Sequence, residues 1–247
     1  MDTFQEYTDP RLVALYDTLS ASRADTAFYI RLARTLCVSS VVDIGCGTGL
    51  LACELAGRGH RVTAVDPSPA MLDFARRRPG GEGVRWIEGD ASRLGEVQAD
   101  LAIMTGHVAQ VIGDDESWRT TLGATHRALR PGGRVAFESR NPRAQAWARW
   151  TPQASRRSIQ HAAHGPIEVW EQLIEVAGAR VRFEIHYRFS SSGEELVSTG
   201  ELRFRTRTEL TQSLIDAGFS VEHVFGDWDG QPVEAESREF IFQAVRG

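Results

Sequence analysis

The 247-residue chain contains no lysine; all 28 of its basic residues are arginine. Chemistry that needs a lysine amine is therefore excluded: Schiff bases, pyridoxal-phosphate anchoring and the lysine of a phosphate-binding P-loop. Cysteine is also scarce. Cys37, Cys46 and Cys53 are odd in number and form no C-x-x-C pair, which suits a reducing cytoplasm and offers neither a disulfide framework nor a zinc site. No apolar run approaches the ~18 residues of a membrane span, and the acidic start MDTFQEYTDPR lacks the apolar core of a signal peptide. A net charge of −5 argues against bulk electrostatic attachment to nucleic acid or to anionic membrane. The Arg76–Arg77–Arg78 run lies among Asp66, Asp73 and Glu82 and reads as a solvated helix end. The expectation is a cytoplasmic protein whose partner is a small molecule, with no nucleic acid and no membrane.

What is present is an alternation of two rhythms. Helical spacing of Leu12, Leu15, Leu19, Phe28, Ile30, Leu32 and Leu36 predicts two N-terminal helices. Apolar runs at 40–44, 61–66, 84–88, 99–105 and 134–138 read as strands. Helices over 50–58, 69–78 and 117–129 fall between them, the last ended by Pro131–Gly132–Gly133. Such alternation implies a Rossmann-like α/β fold, mostly parallel, with helices on both faces. Ligands of such sheets bind at the carboxyl ends of the strands, where strand order reverses. The loops after residues 44, 66, 89, 105 and 138 should therefore line one cleft.

Past residue 140 the period becomes two. Val181, Phe183, Ile185, Tyr187 and Phe189 alternate with charged and polar residues, as do Leu202 and Phe204, with the turn Ser190–Ser191–Ser192–Gly193 between. With a further strand over 167–176, this predicts an antiparallel β-rich flap inserted before a last helix at 208–217 and strands at 219–225 and 239–245. The expected division is an N-terminal helical cap (1–37), an α/β core (38–142), the flap (143–206) and a C-terminal completion of the core (207–247).

The sharpest chemical signal is Val41–Val42–Asp43–Ile44–Gly45–Cys46–Gly47–Thr48–Gly49. Its glycines turn the chain from strand to helix and bring backbone close to a ligand. They run G-x-G-x-G, and Leu50 replaces the last glycine of a dinucleotide fingerprint. Asp43 would repel a pyrophosphate and attract an amine. Asp66, ending the next strand, is placed to accept from two ribose hydroxyls. Asp90, in Gly89–Asp90–Ala91, is placed to accept from an adenine amino group. Amine, ribose and adenine together describe S-adenosylmethionine. Taken singly, each acid could equally be a helix or turn cap.

These segments, VVDIGCGTG, VTAVDPSPAML, WIEGDAS, DLAIMTGHVAQVI and LRPGGRVAFES, resemble the class I S-adenosylmethionine-dependent methyltransferases of the small-molecule branch. The resemblance is firm over residues 38–140 and loose over 206–246. It implies a seven-stranded sheet whose last strand is antiparallel. It also implies that Asp43, Gly45, Cys46, Gly47, Gly49 and Thr105 surround the methionine portion, and Asp66 the ribose. Pro67, Met71, Gly89, Asp90 and Ala91 would take the adenine, though Pro67 could simply start a helix and Met71 be core. Tyr16 or Tyr29 is the candidate to reach the cofactor carboxylate.

Catalytic assignments carry less. His107 follows the fourth strand and could take a proton from a hydroxyl or ammonium, or be a structural histidine or a cofactor contact. Gln110, Arg140, Asn141 and Tyr187 are candidate acceptor contacts, although Asn141–Pro142 could be a plain turn. Trp147, Trp150, Trp170 and Phe189 are further candidates for the acceptor walls or for flap core. No histidine–carboxylate spacing suggests a metal, and no N-P-P-Y-type tetrapeptide suggests a nucleic-acid acceptor. Two rival readings are a nicotinamide-dependent oxidoreductase and a cofactor-binding protein without transferase activity.

Overall fold

The computed structural model describes residues 4–19, 24–162 and 164–247. Residues 1–3 and 20–23 of the expected N-terminal cap, and residue 163 of the expected flap, lie outside the described residues.

Seven strands form the main sheet: β1 (Ser40–Ile44), β2 (Arg61–Asp66), β3 (Val84–Glu88), β4 (Ala99–Met104), β5 (Leu129–Arg140), β10 (Phe219–Phe225) and β11 (Glu239–Arg246). Their spatial order is β10-β11-β5-β4-β1-β2-β3. β11 runs antiparallel to both of its neighbours, and every other pairing is parallel. The chain winds outward from β1 through β2 to β3, then returns to the other side of β1 with β4. That reversal opens a crevice beyond the carboxyl ends of β1 and β4.

Successive residues of the central strands serve opposite faces. Val42, Ala102, Phe137 and Phe242 join one core with Trp118, Leu122 and Leu214. Val41, Leu101, Ile103, Ala136 and Ile241 join the other with Leu51 and Leu55. Burial on both faces explains why these strands read as continuous apolar runs. The helices between are α3 (Leu50–Ala56), α4 (Pro69–Arg76), the short α5 (Val108–Val111), α6 (Asp115–Ala128) and, before β10, α8 (Arg207–Asp216). Their starts follow capping chemistry. Ser68 caps α4 by accepting from the Met71 amide at 3.1 Å, with Pro69 at the first turn. Thr206 and Glu209 form a reciprocal capping box on α8.

A separate antiparallel sheet, β6-β7-β8-β9, is made by Arg157–His161, Gly165–Ala177, Arg180–Phe189 and Glu195–Arg203. A single helical turn, α7 (Pro152–Ser155), precedes it. Helix α1 (Pro10–Leu19) packs on this sheet: Leu12 and Leu15 share a cluster with Ile167, Val169, Tyr187 and Phe189. Helix α2 (Ala24–Thr35) belongs instead to the main sheet, through Phe28, Tyr29 and Ala33.

Two expectations need correction. Pro131–Gly132–Gly133 does not separate helix from strand. It lies within β5 as a bulge, because β4 pairs Ala99 with Leu129 but Leu101 with Arg134. Strand β6 was absent from the sequence reading, since only Ile159 marks its apolar face. Among the described residues no helix is long and apolar enough to cross a membrane.

Candidate active site

The crevice at the strand-order reversal is a two-lobed cleft. The first lobe, about 640 Å³, collects the strand ends Ile44–Gly45, Asp66–Pro67, Gly89–Asp90–Ala91 and Thr105–Gly106. The second, about 600 Å³, lies between these loops and the small sheet and reaches Arg140, Trp150, Phe183 and Tyr187. The lobes meet at Tyr7, Tyr16, Gly45, Gly47, Thr105 and Gly106, which line both. Four of the five loops expected at one cleft line the first lobe; the fifth contributes Arg140 to the second.

Asp66 lines the first lobe and is held by backbone. Its Oδ2 accepts from the Gly47 amide at 2.8 Å and its Oδ1 from the Ser68 amide at 2.8 Å. Burial raises its pKa against the lowering effect of those two amides. Asp90, more open, accepts from the Ser92 amide at 2.8 Å and from its hydroxyl, which hold its pKa below the usual carboxylate range. Pro67, Met71 and Ala91 stand beside them in the same lobe.

Asp43 does not line either lobe. It is fully buried behind the glycine loop, and among the described residues neither carboxylate oxygen has a hydrogen-bond partner. Burial, then the charges of Asp66 and Glu138, push its pKa up to about 7. An orphaned buried carboxylate is costly unless a cation or donor approaches it. At Gly47 (φ +53) a Cβ would meet nothing within 4 Å, so the loop leaves an open cradle where the lobes join. Open cradle and orphaned acid together fit a cationic, amine-bearing ligand. Gly49 has a different job: a Cβ there would strike Trp86 at 2.5 Å, so it serves packing of the loop and not contact with the cleft.

His107 lines the second lobe at the start of α5, in the left-handed region at φ +63. Its backbone amide donates to Glu138 Oε1 at 2.7 Å, and its Nε2 lies 3.1 Å from Glu239. Glu138 is fully buried, also accepts from the Tyr29 hydroxyl, and has its pKa raised by burial. Tyr29 therefore stays in the core, and of the two tyrosines only Tyr16 reaches the cleft. Cys46 lines the second lobe as well, its thiol driven up by burial.

The acceptor candidates divide. Arg140 and Tyr187 line the second lobe. Gln110 does not: it is fully buried, and its Oε1 accepts from Arg140 Nη1 at 3.0 Å, so it positions Arg140 from behind. Asn141 is a turn device. Its side chain donates to the Ser237 carbonyl at 2.8 Å and accepts from the Arg143 amide at 3.0 Å. Of the tryptophans, Trp150 lines the lobe, Trp147 packs on Phe204, and Trp170 is stacked on His186 beneath Arg156. Phe189 stays in the cluster with α1. Sequence reading missed Glu6, Glu171, Arg157, Trp228 and Glu239, all of which line the second lobe. No group of histidine, cysteine and carboxylate side chains able to hold a metal occurs among the described residues.

Comparison with known proteins agrees with this geometry. Residues 41–133 match a methyltransferase domain family. Over 94% of the chain and 95% of the relative, it is 26% identical to a cypemycin N-terminal methyltransferase of Streptomyces sp.. The chain spans about half the length of the next curated relatives it matches. Its fold is similar to an S-adenosylmethionine-dependent methyltransferase from Clostridium acetobutylicum, with a TM-score of 0.75 at 17% identity, covering 94% and 96% of the two chains. It is also similar to an amino pentose methyltransferase from Micromonospora echinaspora, solved with S-adenosylmethionine bound, with a TM-score of 0.67 at 24% identity, covering 91% and 89%. A reversed seventh strand, an acid-flanked G-x-G-x-G loop and a carboxylate at the end of β2 and just past β3 agree with these likenesses: the chain carries a methyltransferase domain over residues 41–133, and its fold is that of the S-adenosylmethionine-dependent methyltransferases.

Proposed function

We propose that the chain transfers a methyl group to oxygen or nitrogen of a small organic acceptor held in the second lobe, under the β6–β9 sheet. The observation that carries this reading is the junction at Gly45, Gly47, Tyr16 and Thr105, the place where two ligands filling the two lobes would meet. S-adenosylmethionine supplies a methyl on a sulfonium, which a nucleophile can displace directly. The protein's part is positioning, and holding two reactants in line can supply effective molarities of ~10⁵ M or more.

In this reading Asp66 takes the ribose and Asp90 the adenine edge, with Pro67, Met71, Gly89 and Ala91 around them. Asp43 faces the methionine amine through the loop, Gly47 gives the ligand backbone contact, and Tyr16 reaches toward its carboxylate. The division into a helical cap (1–37), core (38–142 and 207–247) and lid (143–206) is proposed on the same ground. Arg140 and Tyr187 contact the acceptor. A neutral hydroxyl acceptor would meet His107 as base, with Glu239 orienting the ring; an ammonium would meet Glu6. The free state of Cys37, Cys46 and Cys53 supports a reducing, cytoplasmic setting.

Two of the similar proteins, an N-terminal methyltransferase and an amino pentose methyltransferase, support a small or peptide-sized acceptor rather than nucleic acid. A screen of radiolabelled methyl transfer against a metabolite library tests the reading. Transfer to at least one small acceptor is expected. Tight binding of S-adenosylhomocysteine with no transfer to any would reduce the protein to a binder.

A further inference from the structure

The second lobe holds a group of residues whose charge and hydroxyl groups narrow the class of acceptor further. Glu6, on the 3-10 turn Gln5–Tyr7, is 5% exposed yet lines the lobe. Its Oε2 accepts from the Ser198 hydroxyl on β9, and its Oε1 carries no side-chain hydrogen bond among the described residues. Around it stand Tyr7 of the same turn, Tyr16 of α1 and Tyr187 of β8, all lining the lobe. None of the three hydroxyls has a hydrogen bond among the described residues, although Tyr187 is only 2% exposed. Tyr187 thus presents an unpartnered hydroxyl to the cavity, where a ligand can engage it, independent of the carboxylate beside it.

Resting on methyl transfer from S-adenosylmethionine, we infer that the acceptor is a primary or secondary alkylamine, bound as its ammonium by Glu6 within a cage of Tyr7, Tyr16 and Tyr187, and that Glu6 takes its proton before transfer. The charge pattern selects this class. The other acidic, basic and imidazole groups lining the lobe are Asp17 of α1, Asp25 of α2, His107 before α5, Arg140 of β5, Arg157 of β6, Glu171 of β7 and Glu239 of β11, and none of these arginines sets the state of Glu6. Burial alone raises its carboxyl to about 7, only partly opposed by a backbone hydrogen bond. An arriving ammonium supplies the missing positive charge, and the tyrosine faces and hydroxyls suit a cation with N–H groups. A carboxylate or phosphate acceptor would meet an uncompensated acid instead.

The step balances. The ammonium gives one proton to Glu6 and becomes a neutral amine with a free lone pair. That pair forms the new N–C bond as the C–S bond breaks, and the sulfur keeps the bonding electrons as a thioether. The product is a methylated ammonium, and Glu6 returns its proton to solvent when the lobe opens.

Matched probes test it: glucosamine against glucose, alaninamide against lactamide, and cyclohexylamine against cyclohexanol. Transfer, and binding in the presence of S-adenosylhomocysteine, are measured with the full chain. Transfer to amines and not to their hydroxyl partners is expected. Glu6→Gln should lower kcat/KM for the amine by a hundredfold or more with S-adenosylhomocysteine affinity kept. Tyr187→Phe removes only an unpartnered hydroxyl, so it should keep the melting temperature and raise KM for the amine several-fold. Equal or better transfer to the hydroxyl probes overturns the inference and leaves the methyltransferase reading standing. So does an active Glu6→Gln, or the absence of any Glu6-dependent amine binding. Failure to bind S-adenosylhomocysteine at all would instead remove the reading on which it rests.

Discussion

The Gly47 amide donates to the Asp66 carboxylate at 2.8 Å, tying the loop after β1 to the end of β2 across the junction of the two lobes. The same carboxylate accepts from the Ser68 amide at 2.8 Å, so it shapes the first lobe as well as facing it. Asp66→Ala strands two backbone donors, each worth about 1–3 kcal/mol if buried and unpaired. It is expected to lower the melting temperature and to weaken S-adenosylhomocysteine binding by at least tenfold, read by calorimetric titration. Asp66→Asn, which keeps an acceptor oxygen, should recover much of the stability and less of the affinity.

Gly45 and Gly47 share a left-handed backbone and differ in what a side chain would meet. A Cβ at Gly45 strikes Val108 at 2.5 Å, whereas at Gly47 it enters open space in the cleft. Gly45→Ala should therefore destabilise the fold by more than the ~1–2 kcal/mol of left-handed strain alone. Gly47→Ala should cost about that strain in stability and lose cofactor affinity out of proportion. Thermal melts paired with titrations separate the two.

Two buried carboxyls give the ligand-free protein a pH signature. Asp43 and Glu6 are each pushed up to about 7, from 3.8 and 4.5, mainly by burial. A carboxyl whose folded pKa is raised contributes stability that is full below its unfolded value and is lost as pH rises through the folded one. Stability should thus fall from about pH 4 to about pH 7, and Asp43→Asn or Glu6→Gln should flatten that fall. A cationic ligand favours the ionised acids, so binding should release protons below neutrality and tighten as pH rises through about 7. Titration in buffers of different ionisation enthalpy measures the release.

Helix α1 couples the small sheet to the cleft. Leu15 is fully buried among Leu12, Ile167, Val169 and Tyr187. Leu15→Ala is expected to cost ~2–5 kcal/mol and to loosen Tyr187. A larger proportional loss in turnover than in S-adenosylhomocysteine affinity should follow, seen by comparing kinetics with titration.

The α/β core was legible because its strands are buried on both faces and its ligand loops are marked by glycine and aspartate at strand ends. Val41, Val42 and Ile44 announce a buried strand, and the spacing from Gly45 to Asp66 and Asp90 carries the cleft. Asp43 is marked by its place just before the loop, but its burial comes from β1 lying between β2 and β4, and the charges that raise its pKa further come from Asp66 and Glu138, far off in sequence. The second lobe was largely illegible. Glu6, Glu171 and Glu239 come to line one lobe only when the N-terminal turn, the small sheet and β11 converge, and no local pattern distinguishes them from solvated acids. Gln110 and Asn141 misled because polar residues near a strand end can as readily brace a loop as face a ligand. Strand β6 lacks a strong apolar face, and the Pro131–Gly132–Gly133 bulge imitates a turn.

A crystal structure of the chain with S-adenosylhomocysteine tests the central claim most directly. The account expects the adenine in the first lobe beside Asp90 and Met71, the ribose at Asp66, and the sulfur at the Gly45–Gly47 junction, opening toward Tyr187. An adenine found in the second lobe, or a sulfur facing away from it, would contradict the account.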